Sequence, residues 1–369
     1  MIKIAVTSSF GIESIVSEEL KNLGYQNLKI DNGRVLFEGD YFDVCRANIH
    51  LRTADRVLII IKQFKATTFD QLFDGVYEIE WQDILPQDAN IYVTGRSVKS
   101  TLFSIRDCQA ITKKAIIEKL KKRYNKNWFE ESGAKYPIEI ALNNDIATIT
   151  LDTSGSSLHK RGYRKYIGDA PIKETLASAM VLLSRWRTSS ETLWDPFCGS
   201  GTIAIEAALY AKNIAPGLNK NFISENWGLI DEKLWKEARI KALQMVKPNE
   251  KFEILASDID SEVLKAAHNN AKLAGVDKDI RIFKEDATKI KKSSEKGIIV
   301  CNPPYGERIS QSDLFQLYKA FGKNLKEFIN WRFFILSAFE DFEKAFGRKA
   351  DRNRKLFNGN IKSYLYFYF

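Results

Sequence analysis

The sequence is poor in the residues that build disulfide frameworks and metal centres. Its four cysteines lie far apart and form neither a CxxC pair nor a cluster with any of the three histidines. This spacing argues against a disulfide-stapled fold and against a zinc site, and reduced thiols fit a cytoplasmic location. We therefore predict that no metal is needed.

Long apolar runs, low-complexity tracts and internal repeats are also missing. No run approaches the roughly 20 residues that cross a bilayer, and the opening residues resemble a short strand, not the apolar core of a signal peptide. Hydrophobic residues make up 44% and charged residues 28% of the 369 residues, as in globular proteins with a sizeable core. We expect two or three domains and no membrane partner.

The net charge of +9 is unevenly distributed. Basic and acidic residues nearly balance up to residue 155, so the surplus lies in the C-terminal part, where a polyanion could bind. The balanced part still contains a basic run between residues 113 and 126 at helical spacing. A solvated helix face and an RNA-binding stripe explain this run equally well, and Lys113, Lys122 and Arg123 are its candidate RNA contacts.

Apolar periodicity divides the chain into an α+β part and an α/β part. Up to residue 155, helical and strand patterns mix without strict alternation, and we place one unit at residues 1–64 and a second at residues 65–155. Strands and helices alternate over residues 171–369, which predicts a Rossmann-like domain closed by an antiparallel strand. The stretch 212–250 makes the first crossover of this domain unusually long.

Residues 156–170 form a predicted linker rich in glycine, hydroxyl and basic side chains. Basic side chains beside a binding cleft can hold phosphates. The candidate RNA contacts in the linker are His159, Lys160, Arg161 and Arg164. A merely solvated basic linker is the alternative.

The motif DPFCGSGTIA at residues 195–204 places G-x-G-x-x-A between a strand and a helix. These glycines alone would also suit a dinucleotide. Asp195 favours S-adenosylmethionine, because a carboxylate at the strand end pairs with an ammonium group and repels a pyrophosphate. Asp258 and Asp286 end the next strands, where they can accept hydrogen bonds from ribose hydroxyls and from the adenine amine. The other candidate cofactor residues beside these acids are Pro196, Phe197, Cys198, Gly199, Ser200, Gly201, Ile259 and Ala287.

The motif CNPPYGERI at residues 301–309 predicts a rigid corner, because two prolines cannot continue a strand. Asn302 offers its side-chain oxygen, next to the cofactor, and Pro303 its carbonyl, as two acceptors for one amino group. Accepting both hydrogens while holding the nitrogen in line with the methyl sulfonium favours amine methylation. Tyr305 can stack on a planar target and Pro304 stiffens the corner. These residues are the predicted catalytic set.

The residues alone leave several functions open. Pyrimidine C5 methylation would need a cysteine nucleophile after the proline, and Cys198 and Cys301 are instead expected to be small core or loop residues. The amine could belong to RNA guanine, to DNA adenine at N6 or to a protein glutamine. A non-catalytic RNA-binding or ribosome-assembly protein is an alternative of a different class.

Four motifs in this order resemble the THUMP-containing RNA guanine-N2 methyltransferases, in particular the bacterial large-subunit ribosomal RNA group. They are LHKRGYR (158–164), PIKETLA (171–177), DPFCGSGT and NPPYGERI. FEGD and RANIHLRTADRVL resemble the N-terminal regions of that group, so the resemblance covers nearly the whole chain.

This resemblance implies a ferredoxin-like domain, a THUMP RNA-binding domain and a class I methyltransferase with a seven-stranded, mostly parallel sheet. It adds Lys173 and Glu174 to the candidate cofactor residues and implies 23S ribosomal RNA, or a precursor particle, as the partner. The target would be a flipped or unpaired guanine, since N2 is buried in a duplex. A tRNA guanine is an alternative. Longer members carry a second methyltransferase domain, and we expect no second modification here.

Overall fold

The fold is taken from a computed structural model that describes residues 1–165, 172–305 and 310–369. The end of the predicted linker and the start of PIKETLA, residues 166–171, lie outside the described residues. The same holds for residues 306–309 of the NPPYGERI motif. No helix in the described ranges is long and apolar enough to cross a membrane.

The N-terminal half is built on one continuous sheet. Its elements are β1 (Ile2–Thr7), α1 (Glu13–Asn22), β2 (Lys29–Asp31), β3 (Arg34–Gly39), α2 (Tyr41–His50), β4 (Arg56–Lys65), α3 (Phe69–Tyr77), β5 (Asn90–Val98), α4 (Ile105–Tyr124), β6 (Lys135–Asn143) and β7 (Ile146–Asp152). The strand order is β2-β3-β1-β4-β7-β6-β5. Because β4 pairs with both β1 and β7, the sheet passes through the predicted boundary at residue 64 without a break.

Alternation of side chains gives this sheet one core face. Ile4 and Val6 of β1 and Val57 and Ile59 of β4 all enter the same apolar cluster, because successive strand residues point to opposite faces. The helix α2 starts at a capping box, in which the side chains of Asp40 and Asp43 each accept a hydrogen bond from the backbone N–H of the other. The sheet and its helices therefore follow from local sequence.

The C-terminal half forms a second seven-stranded sheet. Its elements are α5 (Glu174–Ser184), β8 (Thr192–Asp195), α6 (Thr202–Ala211), α7 (Glu232–Gln244), β9 (Glu253–Asp258), α8 (Ser261–Ala274), β10 (Arg281–Lys284), β11 (Gly297–Cys301), α9 (Gln311–Leu325), β12 (Trp331–Ser337), α10 (Phe342–Phe346), β13 (Arg352–Asn358) and β14 (Ile361–Tyr368). The order is β10-β9-β8-β11-β12-β14-β13; β14 is antiparallel to both of its neighbours, β12 and β13, and the other pairs of neighbouring strands are parallel. The predicted fold class, α+β followed by α/β with a mostly parallel sheet, is confirmed.

The long crossover at 212–250 packs on the N-terminal half. The helix α7 lies against α2. Phe222 and Trp235 stack with ring centroids 5.0 Å apart, and Trp227 donates from its indole to the carbonyl of Lys135 at 3.0 Å. All three aromatic residues belong to the N-terminal core cluster. The crossover thus completes the core of the other half, which its length alone does not predict.

Candidate active site

A cavity of about 420 Å³ opens at the carboxyl ends of the parallel strands in the C-terminal half. It is lined by Pro196, Phe197, Gly199, Asp258, Ile259, Val263, Asp286, Ala287, Asn302, Pro303, Pro304, Tyr305 and Leu317. Open parallel sheets bind ligands at this edge. The structure therefore brings the glycine loop, two strand-end acids and the proline corner to one place. Sequence reasoning misses Val263 and Leu317, since an apolar residue on a helix carries no motif.

The glycine loop is held in a fixed shape by its neighbours. Gly199 and Gly201 have φ values of +50° and +84°, a conformation that favours glycine. The backbone N–H of Gly199 donates to Asp258 at 3.0 Å, and the amide of Asn270 on α8 donates to the carbonyl of Ser200 at 3.1 Å. Gly201 then starts α6. The backbone next to the cavity is preorganised.

Asp286 is fixed at the adjoining corner. It accepts hydrogen bonds from the backbone and the hydroxyl of Thr288, at 2.9 and 2.7 Å. These bonds, led by the hydroxyl, lower the pKa of Asp286 below its ordinary value. Asp258 stands opposite and accepts from the N–H of Asp260 at 3.1 Å. Both carboxylates line the cavity as acceptors.

Asp195 does not line the cavity. It is 1% exposed and accepts a hydrogen bond from the backbone of Phe197 at 3.2 Å, beneath the loop. Burial raises its pKa well above the ordinary value. Asp195 is not among the residues that line the cavity, so its pairing with a cofactor ammonium stays a prediction. Cys198, Ser200 and Gly201 also lie outside the lining.

The cysteines are buried thiols. Cys198 and Cys301 are 6% and 0% exposed, and burial raises the pKa of both thiols well above the ordinary value. A protonated, enclosed thiol is a poor nucleophile. This placement agrees with the expectation that both are small core or loop residues.

The proline corner presents one unused acceptor. The side-chain oxygen of Asn302 is buried and has no hydrogen-bond partner among the described residues. Around it, Tyr318 donates to the carbonyl of Pro304 at 2.9 Å, and Asn358 donates to the hydroxyl of Tyr305 at 3.2 Å. A buried oxygen without a partner is costly, so the site is built to receive a donor.

The linker residue Arg161 is buried, and the prediction that it contacts RNA is wrong. It is 8% exposed and donates to the carbonyl of Leu158 at 2.6 Å and to that of Arg52. Its Nε lies 3.6 Å from Glu206, which is 0% exposed and also accepts from the hydroxyl of Tyr163 at 2.8 Å. We call Arg52, Arg161, Tyr163 and Glu206 the interface cluster. A lone acid in the apolar run TIAIEAALYA is the signal that could have found Glu206.

Arg52 continues the cluster across the two halves. It lies in the N-terminal half and donates from NH2 to the carbonyl of Ile214 at 2.8 Å, just beyond the end of α6. Contacts therefore hold α6 at two places, at Glu206 and near its last turn. The first residue of α6 adjoins the glycine loop. The two halves are fixed to each other at the helix that carries this loop.

The neighbouring linker residues are mostly occupied as well. Arg164 donates to the carbonyl of Ile172 at 2.6 Å and lies 3.2 Å from Glu174. Glu174 is 2% exposed, and burial raises its pKa to about 7. A ring nitrogen of His159 lies 2.8 Å from a serine hydroxyl, and burial lowers its pKa to about 4. Only Lys160 of the four predicted linker contacts is exposed.

The remaining candidate residues are Lys173 and Glu174 for the cofactor and Lys113, Lys122 and Arg123 for RNA. Lys173 and Glu174 do not line the cavity. On α4, Lys113 donates to the carbonyl of Ile91 at 3.0 Å and pairs with Glu131, whereas Lys122 and Arg123 are exposed. Within residues 1–165, 172–305 and 310–369, no group of three or more His, Cys, Asp or Glu side chains could hold a metal ion.

Family models account for the whole architecture. A model of the RMKL-like methyltransferase domain matches residues 161–366, one of the RlmL ferredoxin-like domain matches residues 3–58, and one of the THUMP domain matches residues 66–152. The chain belongs to the RMKL-like methyltransferase family. The family predicted from the motifs is thereby confirmed, and the continuous N-terminal sheet comprises its ferredoxin-like and THUMP parts.

Two relatives show how far the similarity extends. YpsC of Bacillus subtilis, whose name places it provisionally among RNA methyltransferases, is 48% identical over 99% of this chain and 95% of its own length. The ribosomal RNA large subunit methyltransferase K/L of Shewanella baltica is 33% identical over 98% of this chain. The chain spans only 52% of that relative's length.

Two solved structures share the complete fold. SMU.472, a methyltransferase by provisional name and complexed with S-adenosylhomocysteine, is 39% identical with a TM-score of 0.94, covering 100% of this chain and 98% of its own. A protein of Listeria monocytogenes named a predicted N6-adenine-specific DNA methylase is 43% identical with a TM-score of 0.94, covering 100% and 96%. S-adenosylhomocysteine is the demethylated form of the predicted cofactor, which is thereby confirmed for a relative of this chain.

Proposed function

We propose that this protein transfers a methyl group from S-adenosylmethionine to the exocyclic N2 amine of a guanine in large-subunit ribosomal RNA or a precursor particle. One observation carries the proposal. The buried oxygen of Asn302 has no partner among the described residues and lines the same cavity as Asp258 and Asp286. The two carboxylates are placed to bind a nucleoside, and an unpaired acceptor beside them is suited to hold an amino group close to the cofactor.

The residues of the corner would act by positioning and electrostatics. S-adenosylmethionine supplies a methyl group on a positively charged sulfur. An amine on a base is a poor nucleophile because its lone pair is delocalised into the ring. Asn302 and the carbonyl of Pro303 accept its two hydrogens and favour the pyramidal geometry of the reacting nitrogen. Tyr305, held by Asn358, stacks on the base.

Asp195 and Glu174 both lie outside the cavity lining and are 1% and 2% exposed, so neither is assigned to the ammonium group of the cofactor. RNA as the substrate is supported by the THUMP match and by the names of the two relatives.

The decisive experiment measures methyl transfer from labelled S-adenosylmethionine to total ribosomal RNA from cells that lack this protein. Nucleoside digestion and mass spectrometry should place the label in N2-methylguanosine of the large-subunit RNA. Asn302→Ala should lower the transfer rate by about 10²- to 10³-fold, as for the loss of one oriented polar contact at a reacting group, while cofactor binding stays within a few-fold. Asn249→Ala, at an exposed loop position, is the control. Loss of cofactor binding together with transfer would assign Asn302 a structural role.

A DNA adenine N6 methyltransferase is the second candidate, favoured by the name of the Listeria monocytogenes protein. The corner accepts any planar amine, so geometry alone does not separate the two. Genomic DNA offered in the same assay separates them: label in N6-methyladenine and none in RNA would replace the proposed function.

A further inference from the structure

The last two strands carry cations without acids. Residues 352–369 contain Arg352, Arg354, Lys355 and Lys362 and no aspartate or glutamate. Lys355 and Lys362 are exposed. Their ammonium groups lie 5.3 Å from the ring centre of Phe357 and 5.6 Å from that of Tyr364, respectively. Among the described residues no carboxylate forms an ion pair with either lysine, and both lysines face solvent on one hairpin.

The tip of this hairpin touches the proline corner. Asn358, the last residue of β13, donates to the hydroxyl of Tyr305 at 3.2 Å. Phe357 precedes it and meets Phe10 of the N-terminal half edge to face, with ring centroids 6.4 Å apart. The end of β13 thus contacts Tyr305 through Asn358 and the N-terminal half through Phe357.

Backbone contacts fix the hairpin to the N-terminal half. Arg354 donates to the carbonyl of Gly11 and to the hydroxyl of Ser14, both at 2.7 Å. Gly11 has a φ of +92°, and a Cβ added there would lie 2.5 Å from the carbonyl oxygen of Lys355. Only glycine permits this approach. The backbone contact at Gly11 therefore fixes how closely Phe10 approaches the hairpin.

Phe10 is 57% exposed although it stands beside this contact. An exposed ring flanked by free cations is the combination that binds single-stranded nucleic acid, because any base can stack on a ring and phosphates pair with the cations. Acidic protein surfaces would use the cations but leave the ring in water. The surface therefore fits RNA better than a protein partner.

We propose that Phe10, Phe357, Lys355 and Lys362 form a subsite for the unpaired nucleotides that flank the target base. This inference rests on the proposed function, since it takes the target to be an RNA base at Tyr305. When a base leaves its helix to reach the cavity, the neighbouring bases also lose stacking contacts. Phe10 and Phe357 receive those bases, and the two lysines hold the phosphates between them. The N-terminal half thereby takes part in selecting the target's sequence surroundings.

The test uses the full chain and a labelled single-stranded RNA oligonucleotide with a central guanosine, titrated at several salt concentrations. The variant Lys355→Ala/Lys362→Ala should weaken binding and reduce the slope of log affinity against log salt by about 1 to 2, close to one per lost phosphate contact. Lys236→Ala/Lys241→Ala on α7 is the matched control. It removes the same charge, but its lysines already pair with Glu232 and Glu237.

Stacking is tested separately by Phe10→Ala, which should weaken binding roughly 5- to 100-fold at every salt concentration. Phe103→Ala is the matched control, because Phe103 is 82% exposed but precedes α4, far along the chain from the hairpin. Thermal melting of each variant checks that the fold is intact.

The outcomes separate this inference from the proposed function. If wild type methylates RNA and the hairpin variants bind and methylate like wild type, the subsite is wrong and the proposed function stands. If the oligonucleotide binds through the hairpin but no RNA is methylated, the proposed function is wrong, and the hairpin binds RNA without a target base at Tyr305. If wild type does not bind the oligonucleotide, the inference is overturned, and a protein partner for the hairpin would be sought next.

Discussion

The linker and the C-terminal hairpin are both basic, but the structure uses their cations in opposite ways. Arg161 and Arg164 of the linker donate to backbone carbonyls and lie beside buried acids. Lys355 and Lys362 of the hairpin are exposed and have no acid near them among the described residues. Sequence charge density predicts RNA contacts at the linker, but two of its predicted contacts, Arg161 and Arg164, are taken up inside the protein, whereas Lys355 and Lys362 of the hairpin are exposed.

The difference teaches that a cation is free only when the fold offers it no partner. In the linker, arginine is paired with Glu206 inside a helix that is apolar on all sides, where a carboxylate without a partner would be costly. In the hairpin, alternate side chains face solvent, and within the described part of the chain no carboxylate pairs with Lys355 or Lys362. Basic segments in a sequence therefore have to be weighed against acids that are distant in the chain.

The largest expected effect comes from breaking the interface cluster. Arg161→Met should lower the free energy of unfolding by about 3–5 kcal/mol, because Glu206 stays buried with its cationic partner removed. Urea unfolding measures the loss. The double variant Arg161→Met/Glu206→Gln should recover part of it, since the uncompensated charge is gone. A loss below about 1 kcal/mol in the single variant would mean that Arg161 is not buried as described.

The next effect is a pH dependence at Glu174. Burial raises its pKa from 4.5 to about 7, and the charges of Arg164, Glu206 and Arg161 act on it in that order. Between these values the folded state binds more protons than the unfolded state, so this carboxyl makes stability fall as pH rises, by at most about 1.4 kcal/mol per pH unit. Glu174→Gln should remove that fall. Wild-type and variant stabilities that run parallel from pH 4.5 to 7 would contradict it.

A smaller effect is expected at the other exposed basic site. Lys122→Ala/Arg123→Ala on α4 should reduce the salt slope for a long ribosomal RNA by about 1 to 2 but leave the binding of a short oligonucleotide unchanged. The reason is that α4 packs on β5 at one edge of the N-terminal sheet, whereas the hairpin contacts the segment that follows β1. Lys119→Ala, whose lysine already pairs with Glu80 at 2.7 Å, is the control. Equal losses for short and long RNA would place α4 on the same path as the hairpin.

The smallest effect sharpens the contrast with the linker. Lys355→Ala should change the free energy of unfolding by less than about 0.5 kcal/mol, since an exposed cation without an ion pair contributes little. Urea unfolding beside Arg161→Met gives the comparison directly. A loss comparable to that of Arg161→Met would show that the hairpin cation is structural.

Much of the fold is readable from local pattern. The opening residues, expected to resemble a short strand, form β1 at Ile2–Thr7, and the strands expected before the glycine loop and the proline corner are β8 and β11. The proline corner and the glycine loop were found because tight turns constrain residue type. Local pattern does not tell which core an amphipathic helix joins, so the packing of α7 on the other half was not foreseen.

The candidate site shows the same limit at single residues. Asp258 and Asp286 were placed by topology, because strand ends meet at one edge of a parallel sheet. Asp195 also ends a strand of this sheet but is 1% exposed and does not line the cavity. Whether a single strand-end side chain is exposed depends on the conformation of the next few residues. The spacing of residues in the sequence does not predict that conformation.

The packing of the long crossover also constrains how the protein can be made. Trp227 and Trp235 complete the core of the N-terminal half, yet they come about 75 to 85 residues after its last strand. During synthesis the core of the N-terminal half therefore lacks these two side chains until α7 has left the ribosome. Completing that core depends on residues of the C-terminal half, even though the two sheets are separate.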